Sequence, residues 1–330
     1  KLPDELEARG VTHPLVMTDA GLVKLGVTAK LTGVLDAAGV SYDVFDQVPP
    51  DSSMDVVNEV ARLYQQRGCD GFVAIGGGSV IDTKGAAASL SCAGVDFATL
   101  QGSEILRAEL PPFIAVPTTA GTGSEVTLVA VVADTQKHAK LSFTSYKLVP
   151  HVAILDPALT ASLPPKLTAT TGMDALTHAI EAYIGRSTNR LTRAMSEEAA
   201  TRIVRSLYIA YENGGDMQAR ADMLRAAYCA GVSFTRSYVG YVHGVAHSLG
   251  GQYGVPHGLA NAVILPCVLE EYGSCVYKKL RRLGISAGVC SEGDTDEEGA
   301  KKFIQAIRSL NERMGIPEKL PGIRKEDLSE

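Results

Sequence analysis

The residues best suited to chemistry lie in two short segments. Residues 239–261, VGYVHGVAHSLGGQYGVPHGLAN, carry three of the chain's seven histidines: His243, His247 and His257. His243 and His247 stand four apart and share one face of a helix. Glycines at 250, 251 and 254 and a proline at 256 then interrupt the run, and such a break turns the backbone and brings His257 back towards the other two. Upstream, GMDALTH at 172–178 sets Asp174 and His178 four apart on another helical face. One carboxylate and several imidazoles on two helical faces make a divalent-cation site. The competing reading is a set of ordinary core and surface histidines. Clustering weighs against it: four of seven histidines fall in two apolar, small-residue segments, where buried imidazoles need partners. Spacing alone does not say which of the four would bind a cation.

The elements that must position these groups change character along the chain. Residues 1–10 read as a helix closed by Gly10. Strand-like runs follow at Pro14–Asp19, Tyr42–Phe45 and Phe72–Ile75, separated by helical patterns over Val27–Gly39 and Asp55–Gly68. This β-α-β-α-β order predicts a parallel sheet covered by helices. Further strands are expected at Phe113–Val116, Val126–Ala133, Lys140–Phe143 and Val152–Leu155, the middle two as a hairpin. After Leu163-Pro164-Pro165, helical patterns dominate: 165–185, 190–212, 216–236, 241–251, 257–272, 275–284 and 295–313. The expected fold is thus an α/β N-terminal domain with a parallel-sheet dinucleotide-binding core, residues 1–162, followed by an all-α domain, residues 163–330.

Two loops at strand ends suit a nucleotide. Gly76-Gly77-Gly78-Ser79-Val80-Ile81-Asp82 lies between the third strand and a helix expected over Val80–Ser91. Three glycines there let backbone amides approach a phosphate, although the dinucleotide fingerprint G-x-G-x-x-G is absent. The alternative is a plain tight turn. Pro117-Thr118-Thr119-Ala120-Gly121-Thr122-Gly123-Ser124-Glu125 follows another strand and is dense in hydroxyls.

Composition limits the rest. At 330 residues the chain is long enough for two domains. A net charge of −6, with no basic run, argues against nucleic acid. No apolar run approaches the roughly 20 residues of a membrane span, and no signal peptide is read at the start. The six cysteines, Cys69, Cys92, Cys229, Cys267, Cys275 and Cys290, form no C-x-x-C pair and read as reduced thiols of a cytoplasmic protein.

Together the motifs GGGSVID (76–82), PTTAGTGSEVT (117–127), ATTGMDALTHAIEAY (169–183) and GYVHGVAHSLGGQYGVPHGLANAVILP (240–266) resemble the iron-containing (group III) alcohol dehydrogenases, whose fold is related to dehydroquinate synthase. The resemblance spans nearly the whole chain. It implies an active site in the cleft between the two domains, with Asp174, His178, His243 and His257 as ligands of Fe²⁺, or alternatively Zn²⁺. It assigns His247 to proton transfer. It also implies cofactor contacts from Asp19, Gly76, Gly77, Gly78, Ser79, Asp82, Thr118, Thr119, Thr122, Thr127 and Lys140. A carboxylate at Asp19 accepts from a ribose 2′-hydroxyl and repels a 2′-phosphate, which favours NAD over NADP. The implied reaction is hydride transfer between a small primary alcohol or diol and NAD, giving the aldehyde or ketone, in a homo-oligomer of two or more chains. Alternatives are a glycerol- or maleylacetate-type dehydrogenase, a non-redox enzyme like dehydroquinate synthase, and a silent NAD- or metal-binding protein. Asp51-Ser52-Ser53 departs from the family's usual Asn-Pro. The family pattern also places a β-hairpin before residue 1 and one or two helices after a segment like 323–327. Aromatics expected near the substrate are Phe143, Phe234, Tyr238 and Tyr253, with Arg236 close by.

Overall fold

The computed structural model describes residues 1–91, 102, 103, 106, 108–135 and 139–323; Cys92 and the segment after Ile323 lie outside them. The chain divides into one unit of Lys1–Thr119 with Ser124–Leu159 and a second of Ala120–Gly123 with Thr160–Glu330.

In the first unit the order is α1 (Leu2–Glu7), β1 (Pro14–Met17), α2 (Ala20–Lys24), α3 (Val27–Ala37), β2 (Asp43–Phe45), α4 (Met54–Arg67), β3 (Gly71–Gly76), α5 (Gly78–Asp82) and α6 (Gly85–Ser91). There follow β4 (Gly102–Ser103), β5 (Phe113–Pro117), β6 (Val129–Asp134), β7 (Ala139–Thr144) and β8 (Val152–Ala153). Five strands form a parallel sheet in the order β2-β1-β3-β5-β8. Side chains alternate across it. Leu15, Met17, Phe72, Ala74, Phe113 and Ala115 join one core with Val57 and Val60 of α4. Val16, Val73, Ile75, Ile114 and Val116 join another with Val27, Leu31 and Leu35 of α3. Burial on both faces explains why these strands read as unbroken apolar runs. From β1 the chain runs outward to β2, and from β3 it runs the other way to β5, so the loops after β1 and β3 flank the switch point, where ligands of open parallel sheets bind. A three-stranded sheet, β4-β7-β6, contains the expected hairpin, with β6 and β7 antiparallel.

Three local differences from the sequence reading have identifiable sources. The helix expected from Val80 to Ser91 breaks into α5 and α6 at Thr83-Lys84, where Lys84 turns fully inward. The strand expected from Val126 starts at Val129, because Ser124–Val126 form a 3₁₀ turn. Asp19 starts the short helix α2 by accepting from Leu22 N–H at 2.9 Å.

The second unit is helical: α7 (Pro165–Ile184), α8 (Arg190–Glu212), α9 (Met217–Ser237), α10 (Tyr241–Tyr253), α11 (His257–Tyr272), α12 (Tyr277–Ser286) and α13 (Asp296–Arg313). Proline at the first turn of α7 fits a position whose N–H has no helical partner. α7 is buried without interruption from Gly172 to Tyr183 and packs against α8, α9 and α11. A Cβ on Gly258 would stand 2.5 Å from the Thr170 carbonyl oxygen, so glycine lets the start of α11 reach α7. Gly254, with φ +66°, ends α10 in the left-handed conformation, and α11 begins three residues later. No helix among the described residues is long and apolar enough to cross a membrane.

Candidate active site

Three helix segments bring the candidate ligands together. On α7, Asp174, His178 and Glu181 follow at spacings of four and three and leave the same face. α10 contributes His243, and the first residue of α11 is His257. The side-chain donor atoms of Asp174, His243 and His257 all lie within 4.8 Å of one another. Asp174 Oδ1 is 3.6 Å from His243 Nε2 and 3.4 Å from His257 Nε2. His178, outside that set of three, stacks on His243 with ring centroids 4.4 Å apart and on Phe234 at 4.1 Å. Asn261, one turn along α11, donates from Nδ2 to Asp174 Oδ1 at 2.7 Å and lies 3.1 Å from His257 Nε2.

The electrostatics suit a cation. Burial penalises the Asp174 carboxylate, yet His178, His257 and His243 outweigh it and hold its pKa well below the usual carboxylate range. Burial, opposed by Asp174 and reinforced by the other imidazoles, lowers His178 to about 3, so its ring is neutral and keeps a lone pair. Burial also disfavours charged His243, but the neighbouring carboxylates of Asp174 and Glu181 override it and raise the group to about 9. His243 Nε2 and His178 Nδ1 are buried with no hydrogen-bond partner among the described residues. Buried polar atoms ordinarily find partners. Orphaned imidazole nitrogens around an ionised carboxylate are the donor chemistry of a divalent transition metal, so these residues fit one.

His247 is exposed on α10; its ring stacks 5.0 Å from that of His257 and meets His243 edge-on at 6.0 Å. It stands beside the cluster on the solvent side. Tyr238, just before α10, is exposed and has φ +64°, the one positive φ outside glycine among the described residues. Tyr253 is 40% exposed, whereas Phe143 belongs to the core of the first unit.

The cofactor loops form in the first unit. Gly76 ends β3, and a Cβ there would stand 2.5 Å from Val80 Cβ, so only glycine permits this turn. Gly77 and Gly78 follow, and a Cβ on Gly77 would lie 3.3 Å from Thr119 Cγ2, which puts the two loops side by side. Thr118 N–H donates to the Gly76 carbonyl at 3.0 Å. Ser79 Oγ donates to the Pro50 carbonyl. Lys140 Nζ donates to Asp51 Oδ1 at 2.8 Å, which joins the departing Asp51-Ser52-Ser53 segment to the expected ribose lysine. The half-buried glycine backbone at 77–78 and the placement of Asp19 after β1 fit a dinucleotide. Thr122 lies in the second unit, in its short N-terminal piece Ala120–Gly123.

Asp82 and Thr127 are placed differently from the other expected cofactor residues. Thr127 is buried and Asp82 half-buried beside Lys84. Lys84 Nζ donates to the Thr127 carbonyl at 2.8 Å and the Ser124 carbonyl at 3.1 Å, and Asp82 Oδ2 accepts from Val131 N–H at 3.1 Å. Burial, partly offset by Asp82 and Glu125, lowers Lys84 to about 8.

A further His–Asp–Cys group, His13, Asp43 and Cys69, has a different character. His13 Nδ1 meets Ser41 Oγ and Nε2 meets Asp43 Oδ2, each at 2.9 Å, and Arg67 Nε lies 3.7 Å from Asp43 Oδ1. Both ring nitrogens have protein partners and a cation already stands beside the carboxylate. Sequence reading missed Glu181, Asn261 and Lys84. For Glu181 and Asn261 a signal existed: each is one helical step from an expected ligand.

Comparison with known proteins agrees with this geometry. Residues 1–157 match the family model for iron-containing alcohol dehydrogenase, and residues 168–330 match that for the C-terminal part of the Fe-containing alcohol dehydrogenase family. The chain is 39% identical to lactaldehyde reductase of Escherichia coli (strain K12), over 99% of this chain and 86% of the relative. The fold superposes on 1,3-propanediol oxidoreductase with a TM-score of 0.95 at 38% identity, covering 98% of this chain and 85% of that one. It superposes on sulfoacetaldehyde reductase from Bifidobacterium kashiwanohense, solved in complex with NAD⁺, with a TM-score of 0.90 at 29% identity, covering 99% and 85%. An α/β unit with a parallel sheet, a helical unit and a buried Asp/His cluster are thus found in a chain that is an oxidoreductase of the alcohol dehydrogenase class and belongs to the iron-containing alcohol dehydrogenase family.

Proposed function

We propose that this chain is a metal-dependent NAD(H) dehydrogenase that interconverts a small primary alcohol or diol with its aldehyde or ketone. The observation that carries the proposal is the convergence of Asp174, His243 and His257, with His178 stacked alongside, around buried imidazole nitrogens that have no hydrogen-bond partner among the described residues. These four residues would hold Fe²⁺, with Zn²⁺ as the alternative. Four protein donors exceed the usual three of a catalytic zinc site, which favours iron. When bound, the cation supplies Lewis acidity, favouring loss of the alcohol proton and polarising a carbonyl in reverse.

NAD, when bound, supplies the hydride acceptor. Gly76, Gly77, Gly78 and Ser79 would hold its pyrophosphate, and Thr118, Thr119, Thr122 and Lys140 the nicotinamide side. Asp19 would take the adenosine ribose and disfavour NADP. Asp82 and Thr127 would support these loops from below. His247 would carry the alcohol proton to solvent, a role suited to an exposed imidazole with a reference pKa near 6.5. The names of the relatives, lactaldehyde reductase and 1,3-propanediol oxidoreductase, support a small substrate. We extend the proposal to a cytoplasmic homo-oligomer, a dimer or larger. The five cysteines among the described residues are all free, which suits a reducing compartment, and light scattering reads the oligomer.

The test is NAD reduction by a panel of short alcohols and diols, using protein stripped of metal and reloaded anaerobically with Fe²⁺ or Zn²⁺. Activity restored by metal supports the proposal and names the ion. Tight binding of metal and NAD without turnover on any alcohol or aldehyde overturns it.

A further inference from the structure

Glu181 has no part in the ligand set, yet its carboxylate is almost fully buried in α7, with 1% of the side chain exposed. A buried carboxylate needs strong partners, and Glu181 has two. Its Oε2 lies 2.6 Å from His243 Nδ1, and its Oε1 accepts from Val242 N–H at 2.8 Å. Val242 is in the first turn of α10, whose N-cap Gly240 supplies no side-chain cap. Glu181 therefore caps α10 from another helix, where a negative charge is also favoured by the helix dipole. A Cβ on Gly240 would lie 2.8 Å from Glu181 Oε1, so glycine at 240 keeps the carboxylate within reach.

We infer that Glu181 is a positioning residue for the metal site: it fixes which nitrogen of His243 carries the proton and where the other points. With Nδ1–H donated to Glu181, the proton that a bound metal would displace from His243 is the one on Nε2, which leaves the lone pair there. That atom is buried, has no hydrogen bond among the described residues and faces Asp174 Oδ1 at 3.6 Å. A carboxylate behind a ligating imidazole holds its orientation and raises its basicity. The inference rests on the metal reading proposed above and adds a residue that spacing did not reveal.

The geometry supplies a sharp variant. Both oxygens of Glu181 face N–H donors, and a glutamine side chain has only one oxygen to offer. Glu181→Gln is nearly isosteric, but it must either leave Val242 N–H unpaired or present an N–H to His243 Nδ1, which moves the imidazole proton to Nε2. Co²⁺ affinity is measured anaerobically by competition with a chelator for wild type, Glu181→Gln and Asp174→Ala, with thermal unfolding of each metal-free protein alongside. The expected result is a Co²⁺ Kd about 10- to 100-fold weaker in Glu181→Gln, in a protein whose metal-free form is still folded. A wild-type Kd in Glu181→Gln, with Co²⁺ lost in Asp174→Ala, overturns the inference and leaves the metal site standing. A lowered melting temperature with unchanged Kd reduces Glu181 to a helix cap and likewise overturns it. Failure of wild type to bind Co²⁺ overturns both the metal reading and the inference built on it.

Discussion

Each unit buries a knot of ionisable side chains, and the two knots are built on opposite plans. In the sheet unit, Lys84 is fully buried and spends its ammonium protons on the backbone carbonyls of Ser124 and Thr127. Asp82 and Glu125 lie close enough to raise its pKa against the effect of burial. The counter-charge is supplied by a lysine of the chain, so the knot is closed in charge, although Asp82 Oδ1 and Glu125 Oε1 have no hydrogen bond among the described residues. In the helical unit, the buried groups are nearly all acceptors: Asp174, Glu181 and imidazoles whose nitrogens include two without partners. Among the described residues no lysine or arginine hydrogen-bonds or ion-pairs with Asp174. Here the chain's own counter-charge is the proton that His243 holds between Asp174 and Glu181, and a bound cation would displace it. A buried cation tied to carbonyls fixes a loop, and a buried ring of acceptors calls for a ligand.

The largest effect should come from opening the second knot further. Asp174→Ala removes the carboxylate that faces both His243 Nε2 and His257 Nε2. Bound metal should be lost, and kcat/KM should fall by at least about a hundredfold, since a Lewis acid contributes several kcal/mol to the barrier. Steady-state assay with metal analysis reads both. His247→Ala should lower kcat by about a hundredfold, the scale of general acid–base catalysis, while metal content stays at the wild-type level. Loss of metal in that variant would make His247 a ligand and redraw the site.

Opening the closed knot should affect stability. Lys84→Met leaves buried Glu125 and half-buried Asp82 without their counter-charge and should cost about 3 kcal/mol, read by denaturant unfolding. Co²⁺ affinity should not change. An equal loss of metal affinity would show that the two knots are not independent. The smallest effect concerns Glu125. Burial, only partly offset by its own backbone hydrogen bond and by Lys84, raises it from 4.5 to about 7. Because the folded state holds this proton more tightly than the unfolded state, the stabilisation is complete below about pH 4.5 and is lost as pH rises through about 7. Glu125→Gln should flatten that limb of the stability–pH curve. An unchanged limb would place the titration elsewhere.

The sheet was legible because its strands are buried on both faces: runs such as Phe72–Ile75 are apolar throughout and bounded by glycine. The helical unit was legible from periodicity, and Asp174 and His178 from their spacing. The choice between His243 and His247 was not accessible from spacing, because both sit on one face of α10. What separates them is the phase of α10 relative to α7, a tertiary quantity: His243 is buried beside Asp174 and His247 is exposed. The same limit hid Lys84, and it hid the burial of Glu181 although its spacing from His178 was a signal. A glutamate near the end of a helix and a lysine inside one ordinarily read as solvated, and only packing reveals that both are buried. The break between α5 and α6 went unseen for the same reason, since it falls where Lys84 turns inward.

The most direct test of the account is to locate the cation. Crystals of protein loaded anaerobically with Fe²⁺ would be measured at the iron absorption edge for anomalous scattering. The account predicts a single strong peak within bonding distance of Asp174, His178, His243 and His257, and none at His13, Asp43 and Cys69 or beside Lys84. An active enzyme whose peak lies elsewhere, or that shows none at Asp174, would contradict it.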